Sequence, residues 1–349
     1  MRVAFRVDAS TSLGSGHVMR CLALASYLES RGAECVFVCR RLPGNLIDYL
    51  RSMGQVVIDF GDEGDMQEDV FVAMDDAVNM ISVIDEAKTD IVIVDHYSIA
   101  ENWEHEVSKH CRKMVAIDDL ADRKHSVDIL LDQNLFPHAR ERYRSKVPES
   151  CQLLLGPQYA LLRREFIDLD RTAFPSRGPL RRILVFYGGA DTVNETAKAL
   201  TALDYPDFNG ILVDIVLGEQ NPHREELITR YAGRAGWRFH VQTESMAGLM
   251  MDADLMVCAG GTIQWERIYM GLPGIVTAVA ENQRLVCETL AANSLAIYLG
   301  FYDGVNVESI RSAVLAWKEC GEQAWQKVSG QLLTVPIANM GRVADIILA

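Results

Sequence analysis

Short runs of apolar residues that end abruptly in polar ones recur along this chain, each followed by a stretch of helical periodicity. CVFVC at 35–39, IVIV at 91–94, VAI at 115–117, ILL at 129–131 and ILVF at 183–186 are of this kind. A strand with one face in water alternates apolar and polar residues, whereas a strand covered on both faces does not. These runs therefore predict parallel sheets flanked by helices, an α/β fold of doubly wound type. At 349 residues the chain exceeds what one core usually supports. Two Rossmann-like domains facing across a cleft are expected, over 1–165 and 179–349. The charged, proline-containing tract at about 136–178 would form the connection, with the last helix free to pack back on the first domain. Further strands are expected at 211–217, 237–241, 254–258, 274–279 and 295–299.

Charge narrows the partners. With 34 basic and 48 acidic side chains the net charge is −14, which argues against nucleic acid or a membrane surface, since both favour a basic footprint. A small anionic ligand held by backbone amides is compatible with this balance. The eight cysteines contain no CxxC pair, so they read as buried free thiols of a reducing compartment rather than zinc ligands. No apolar run approaches the roughly 20 residues that span a bilayer, and the chain opens directly into a strand. The expectation is a cytoplasmic monomer or weak homodimer. The acidic stretch at 61–69 reads as a solvated loop.

The segment RVDASTSLGSGHVMR, residues 6–20, is the first candidate site. A strand feeds a polar turn, Gly14 and Gly16 give the backbone freedom there, and an apolar helical pattern starts after His17. An imidazole at such a place reads either as a capping or packing group or as a proton carrier. Open α/β sheets place ligands at the carboxyl ends of their strands, which draws in Asp95, His96 and Tyr97 after one run and Asp118 and Asp119 after another. His96 reads equally as a satisfied interior histidine, and the two aspartates as caps of the next segment.

The second half repeats the strand, glycine turn and helix. Gly188 and Gly189 follow ILVF, with Asp191 near a helix that Thr192 or Asn194 is placed to cap. Gly260 and Gly261 follow LMVC, with Thr262 as a helix cap and Glu266 one turn in. Paired glycines leave amides open to a pyrophosphate, and a carboxylate one turn along suits a ribose diol. Asn282 and Gln283 stand at the rim after another strand. No P-loop pattern is present, and GSGHVM has Met19 where a dinucleotide fingerprint needs its third glycine, so neither ATP nor a nicotinamide cofactor is expected. No His and carboxylate spacing dictates a metal.

The motifs GSGHVMRCLALA, VIVDHYSI, AIDDLADRKH, ILLDQN, LLGPQYALLRREF, VFYGGADTVNET, CAGGTIQWER and ENQR, taken in order, closely resemble the nucleotide-sugar hydrolase family of pseudaminic (nonulosonic) acid biosynthesis. That family in turn looks like the GT-B glycosyltransferases, in particular the peptidoglycan enzyme that adds N-acetylglucosamine to a lipid carrier. The resemblance implies a metal-independent, inverting hydrolysis of a UDP-linked 2,4-diacetamido-2,4,6-trideoxy sugar at its anomeric carbon, with no cofactor. By the same resemblance His17 activates water. Asp8, Gly14, Gly16, Arg20, Asp95, His96 and Tyr97 would line the sugar side, and Asn282 and Gln283 would bind substrate. Gly188, Gly189, Asp191, Gly260, Gly261 and Thr262 would hold the diphosphate and Glu266 the ribose. Ala190 departs from the family's serine after the glycine pair, which puts one phosphate contact in doubt. The alternatives are a GT-B glycosyltransferase with the same donor and a nucleotide-sugar-binding protein without turnover.

Overall fold

A computed structural model describes residues 1–60, 72–171, 174, 178–337 and 340–349; the acidic stretch at 61–69 lies outside the described residues. The chain forms two compact units, one of Met1–Arg163 with Ala338–Ala349 and one of Arg164–Ile337.

The first unit runs β1 (Arg2–Val7), α1 (Gly16–Glu29), β2 (Glu34–Arg40), α2 (Ile47–Ser52), β3 (Val56–Phe60), α3 (Ala73–Ala87), β4 (Ile91–Asp95), α4 (Glu101–Val107), β5 (Lys113–Ile117), β6 (Ile129–Asp132), α5 (Ala139–Arg142) and β7 (Gln152–Leu155). Its seven strands lie in the order β3-β2-β1-β4-β5-β6-β7, and every pair is parallel, with Val3 opposite both Cys35 and Ile91. The strands are buried on both faces, as their unbroken apolar runs predict: Phe5, Phe37, Val92 and Leu130 have no exposed surface. Phe5 stacks on Phe37 at 5.0 Å. On α1 the spacing of Val18, Cys21, Ala25 and Leu28 turns all four side chains inward. Burial of a leucine such as Leu28 contributes about 1.5–3 kcal/mol. β7 and α5 fall within the tract that reads as a connection; only Leu154 of QLLL is fully buried, and flanking charges hide so short an edge strand.

The second unit runs α6 (Arg164–Ile167), β8 (Arg182–Phe186), α7 (Glu195–Leu203), β9 (Leu212–Leu217), α8 (Arg224–Tyr231), β10 (Trp237–Val241), α9 (Met246–Asp252), β11 (Leu255–Ala259), α10 (Ile263–Tyr269), β12 (Gly274–Ala278), α11 (Glu281–Ala292), β13 (Ile297–Phe301), α12 (Val307–Glu319) and α13 (Glu322–Thr334). Its sheet has the order β10-β9-β8-β11-β12-β13, around a core that includes Val185, Ile215, Val257 and Ile275. α14 (Met340–Leu348) closes the chain within the first unit, packed against α1.

All eight cysteines are free thiols. Cys21, Cys35, Cys39, Cys258 and Cys287 are buried, Cys111 and Cys151 partly so, and Cys320 is exposed, contrary to the expectation that all are buried. Among the described residues no helix is long and apolar enough to cross a membrane.

Arg267 is a buried cation satisfied by neutral acceptors. It donates to Gln264 Oε1 at 2.9 Å and to the carbonyls of Leu272 at 2.6 Å and Leu295 at 2.8 Å, and burial pushes it down to about 10. The guanidinium lies along Gly274, where a Cβ would come within 2.7 Å of Arg267 Cδ and Nε. Gly274→Ala is therefore expected to lower stability by about 1–3 kcal/mol, read from the urea midpoint; an unchanged midpoint would show that Arg267 moves aside without loss.

Candidate active site

In each unit the strand order reverses beside the first strand, between β1 and β4 and between β8 and β11. The loops that leave those strands diverge to opposite faces of the sheet, and the gap between them is where open α/β sheets hold ligands. In the first unit this point gathers Asp8, His17, Arg20, Asp95, His96 and Tyr97; in the second it carries the turns at Gly188–Gly189 and Gly260–Gly261.

The loop between β1 and α1 folds on itself. Gly14 adopts φ +74°, a conformation that favours glycine, and its N–H donates to the Ser10 carbonyl at 2.8 Å. Gly16 does not share that geometry: it is the first residue of α1, so the backbone freedom expected of it is not used. The helix start delivers His17 and, one turn later, Arg20 onto the carboxylate that ends β4. His17 Nδ1 lies 2.6 Å from Asp95 Oδ1, while Arg20 Nε meets Oδ2 at 2.6 Å and its NH2 meets Oδ1 at 2.6 Å. The Cys21 thiol donates to Oδ2 at 3.6 Å. Burial alone would raise the Asp95 carboxyl; the Arg20 and His17 charges and hydrogen bonds outweigh it and hold the group well below the usual carboxylate range. An ionised Asp95 requires the imidazole proton on Nδ1. Arg20 NH2, 3.2 Å from that nitrogen, meets it as donor beside donor, both sharing Oδ1. The lone pair of His17 is then on Nε2. The ring of Tyr97 packs edge-on against the imidazole, with centroids 4.5 Å apart at 83°.

A second buried cluster lies at the end of β1. Arg6, an arginine inside an apolar strand, is fully buried and bridges Asp8 and Asp76: NH2 donates to Asp8 Oδ2 at 2.8 Å and to Asp76 Oδ2 at 2.6 Å. Trp103 Nε1 donates to Asp76 at 3.0 Å and the Arg40 amide to Asp8 at 2.7 Å. His96 Nδ1 accepts the Ser98 N–H at 3.1 Å, which places its proton on Nε2, 3.3 Å from Asp8 Oδ2. Burial depresses the His96 imidazole, against the hydrogen bond to Asp8 that would raise it. Asp8 and His96, both assigned to the sugar side by resemblance, thus spend these groups on each other and on the protein.

The aspartates after β5 separate in role. Asp118 accepts the Ala121 N–H at 2.9 Å and the Tyr143 hydroxyl at 3.1 Å and pairs with Arg123 at 2.8 Å, so it shapes its own loop. His125 is buried with Nδ1 2.7 Å from Glu104 Oε1. Burial opposes its charge, but Asp118 and Glu104 raise it to about 9. Asp119 instead takes Arg20 NH1 at 2.9 Å. Asp132 and Tyr143 are both buried at the end of this sheet; Asp132 has the signal of a polar residue that ends the ILL run and Arg6 that of a charge amid apolar strand residues, whereas nothing in the sequence singles out Tyr143.

In the second unit Gly188 turns at φ +96°. Asp191 accepts the N–H groups of Glu195 and Thr196, each at 2.9 Å. It caps α7 in place of Thr192 or Asn194, with one backbone N–H on each of its oxygens. The Gly260 amide donates to the Thr277 carbonyl at 3.1 Å, and a Cβ at this position would lie 2.1 Å from Cys287 Sγ. Packing, rather than an open amide, requires that glycine. Gly261 and Thr262 lead into α10, where Thr262 makes no side-chain cap hydrogen bond, and Glu266 is buried on the same helix. Asn282 is exposed in the first turn of α11, whereas Gln283 Oε1 accepts the Val279 N–H at 3.0 Å and closes the corner before the helix. Among the described residues no group of three or more His, Cys, Asp or Glu side chains is placed to hold a metal ion.

Asp132 provides a pH test of this sheet end. It accepts from Tyr143 Oη and Arg142 NH1, each at 3.0 Å, and from the Asn134 amide at 3.0 Å, yet burial and the nearby Asp119 charge push it up to about 7. The unfolded value is about 3.9. A carboxyl raised on folding contributes stability that is complete below its unfolded value and is lost as pH rises through 7. Asp132→Asn is expected to gain on the order of 2 kcal/mol relative to wild type between pH 5 and pH 8, read from urea unfolding at both; an equal difference at the two pH values would contradict it.

No protein-family model matches the chain. Among curated proteins it is 26% identical over 292 residues to an uncharacterized protein of Methanocaldococcus jannaschii, covering 81% of this chain and 57% of that one, so it spans little more than half of that relative's length. It is 25% identical over 293 residues to the UDP-2,4-diacetamido-2,4,6-trideoxy-beta-L-altropyranose hydrolase of Campylobacter jejuni, covering 83% and 96% of the two chains. A spore coat polysaccharide biosynthesis protein of Bacillus subtilis is 25% identical over 312 residues, covering 89% and 87%. Among solved structures, Acinetobacter baumannii MurG superposes with a TM-score of 0.64 at 16% identity, over 99% of both chains. The fold is that of the two-domain, Rossmann-like GT-B proteins, and the Campylobacter jejuni relative carries the name of the hydrolase that the sequence motifs resemble.

Proposed function

We propose that this protein is a UDP-sugar-processing enzyme, and specifically a hydrolase that releases UDP from a 2,4-diacetamido-2,4,6-trideoxy sugar by attack of water at the anomeric carbon. One observation carries the reading: Asp95 Oδ1 at 2.6 Å from His17 Nδ1, with Arg20 clamping the same carboxylate through two nitrogens. A carboxylate that fixes the tautomer and steadies the imidazolium makes Nε2 a general base, the same division of labour as in acid–histidine pairs of hydrolases generally. Inverting displacement needs such a base on the face opposite the leaving group. In the second unit the Gly188–Gly189 turn and the Gly261–Thr262 start of α10 are the proposed contacts of the diphosphate, with Glu266 toward the ribose and Asn282 toward the sugar. The Campylobacter jejuni relative supports water as the acceptor. The same base serves a transferase equally well, and the fold's likeness to the spinosyn forosaminyltransferase, with a TM-score of 0.65 at 13% identity, is what favours that second reading.

His17→Asn and His17→Phe are expected to slow release of free sugar by about 10²–10⁴-fold while UDP affinity, measured by calorimetry, stays within about twofold. Unchanged turnover in both variants would remove His17 from the chemistry. Sugar appearing only on an added acceptor would establish the transferase.

A further inference from the structure

Arg20 presents three nitrogens, and only two of them reach Asp95. The third, NH1, donates to Asp119 Oδ2 at 2.9 Å. A guanidinium is a rigid plane, so a partner on NH1 fixes the direction in which the Nε and NH2 edge points. Here that edge is turned squarely onto both oxygens of Asp95, whose Oδ1 also holds His17.

The Asp119 side chain is directed at Arg20. Its other oxygen, Oδ1, is buried and has no hydrogen-bond donor among the described residues, whereas the adjacent Asp118 pairs with Arg123 and accepts from Ala121 and Tyr143. What holds Asp119 is its backbone: Arg142 NH2 donates to the carbonyls of Asp119 at 3.2 Å and Leu120 at 3.0 Å. Arg142 is itself fixed by Asp132 at 3.0 Å and by the Phe136 ring, whose centroid is 3.7 Å from the guanidinium carbon. A continuous set of contacts thus leads from α5 to the imidazole.

We propose that Asp119 is a positioning residue of the His17 base, acting through Arg20 on Asp95, and that Arg142 anchors it. The proposal rests on the reading of His17 as the base. Without the Asp119 carboxylate the guanidinium is free to swing to a single contact with Asp95, and the imidazole loses its fixed tautomer and orientation.

The test uses Asp119→Asn, which keeps the shape of the side chain, with Asp119→Glu and Arg142→Lys beside it. Turnover of the UDP-sugar by D119N should fall about tenfold in kcat with KM changed less than about twofold, as a misplaced base requires. D119E should recover part of the loss, and R142K should reproduce part of it. Independently of turnover, ¹⁵N spectra of the unliganded protein should show His17 as the single Nδ1–H tautomer in wild type and as a mixture in D119N. A wild type that turns over no UDP-sugar would overturn the functional reading and leave the spectra to decide this one. A D119N protein with wild-type His17 nitrogen shifts overturns the proposal, whatever its activity.

Discussion

Everything in the first unit's site depends on one buried carboxylate. Asp95 is the last residue of β4 and has almost no exposed surface. Taking such a group out of water costs several kcal/mol unless it is paired and hydrogen-bonded. It receives two nitrogens of Arg20, the imidazole of His17 and the thiol of Cys21, so what would be a liability becomes the fixed point that orients the imidazole. Removing Arg20 would leave the charge without its cation, and removing Asp95 would leave a cation and a histidine with no common acceptor.

The strand order explains why these groups meet. β1 and β4 are neighbours though 78 residues separate His17 from Asp95, because the chain crosses to one side for β2 and β3 and then returns. At the switch point an acid stands at the end of β4 and directly after β1, and each has its own buried arginine: Arg20 for Asp95, Arg6 for Asp8. The Arg6 cluster, extended by Asp76 and Trp103, ties β1 to α3 and α4 beneath the site. It gives His96 a structural partner in Asp8.

The fold was legible in the sequence because doubly covered strands announce themselves by unbroken apolar runs, and the polar residues at their ends marked Asp95, His96 and Tyr97 correctly as neighbours of the opening loop. What the residues alone did not show was how each polar side chain is spent. Asp191 as a helix cap, Gln283 as a corner clasp and Gly260 as a packing necessity depend on partners brought in by tertiary structure, at Glu195, Val279 and Cys287. β7 and Tyr143 were hidden for a related reason: a short edge strand and one buried phenol, flanked by arginines and glutamates, carry no periodic signal. The partition between Asp118 and Asp119 was also invisible, since two identical adjacent residues take different partners, Asp118 the Ala121 amide, Tyr143 and Arg123, Asp119 Arg20.

In the proposed reaction Asp95 holds the proton on Nδ1, so that Nε2 of His17 would accept a proton from water attacking the anomeric carbon opposite the departing UDP. The most direct measurement follows the anomeric proton by NMR in the first moments after mixing the protein with UDP-2,4-diacetamido-2,4,6-trideoxy-β-L-altropyranose, before the free sugar mutarotates. Free sugar of inverted configuration is the predicted first product. Sugar of retained configuration, or UDP-sugar left intact in water, would contradict a His17 base that delivers water.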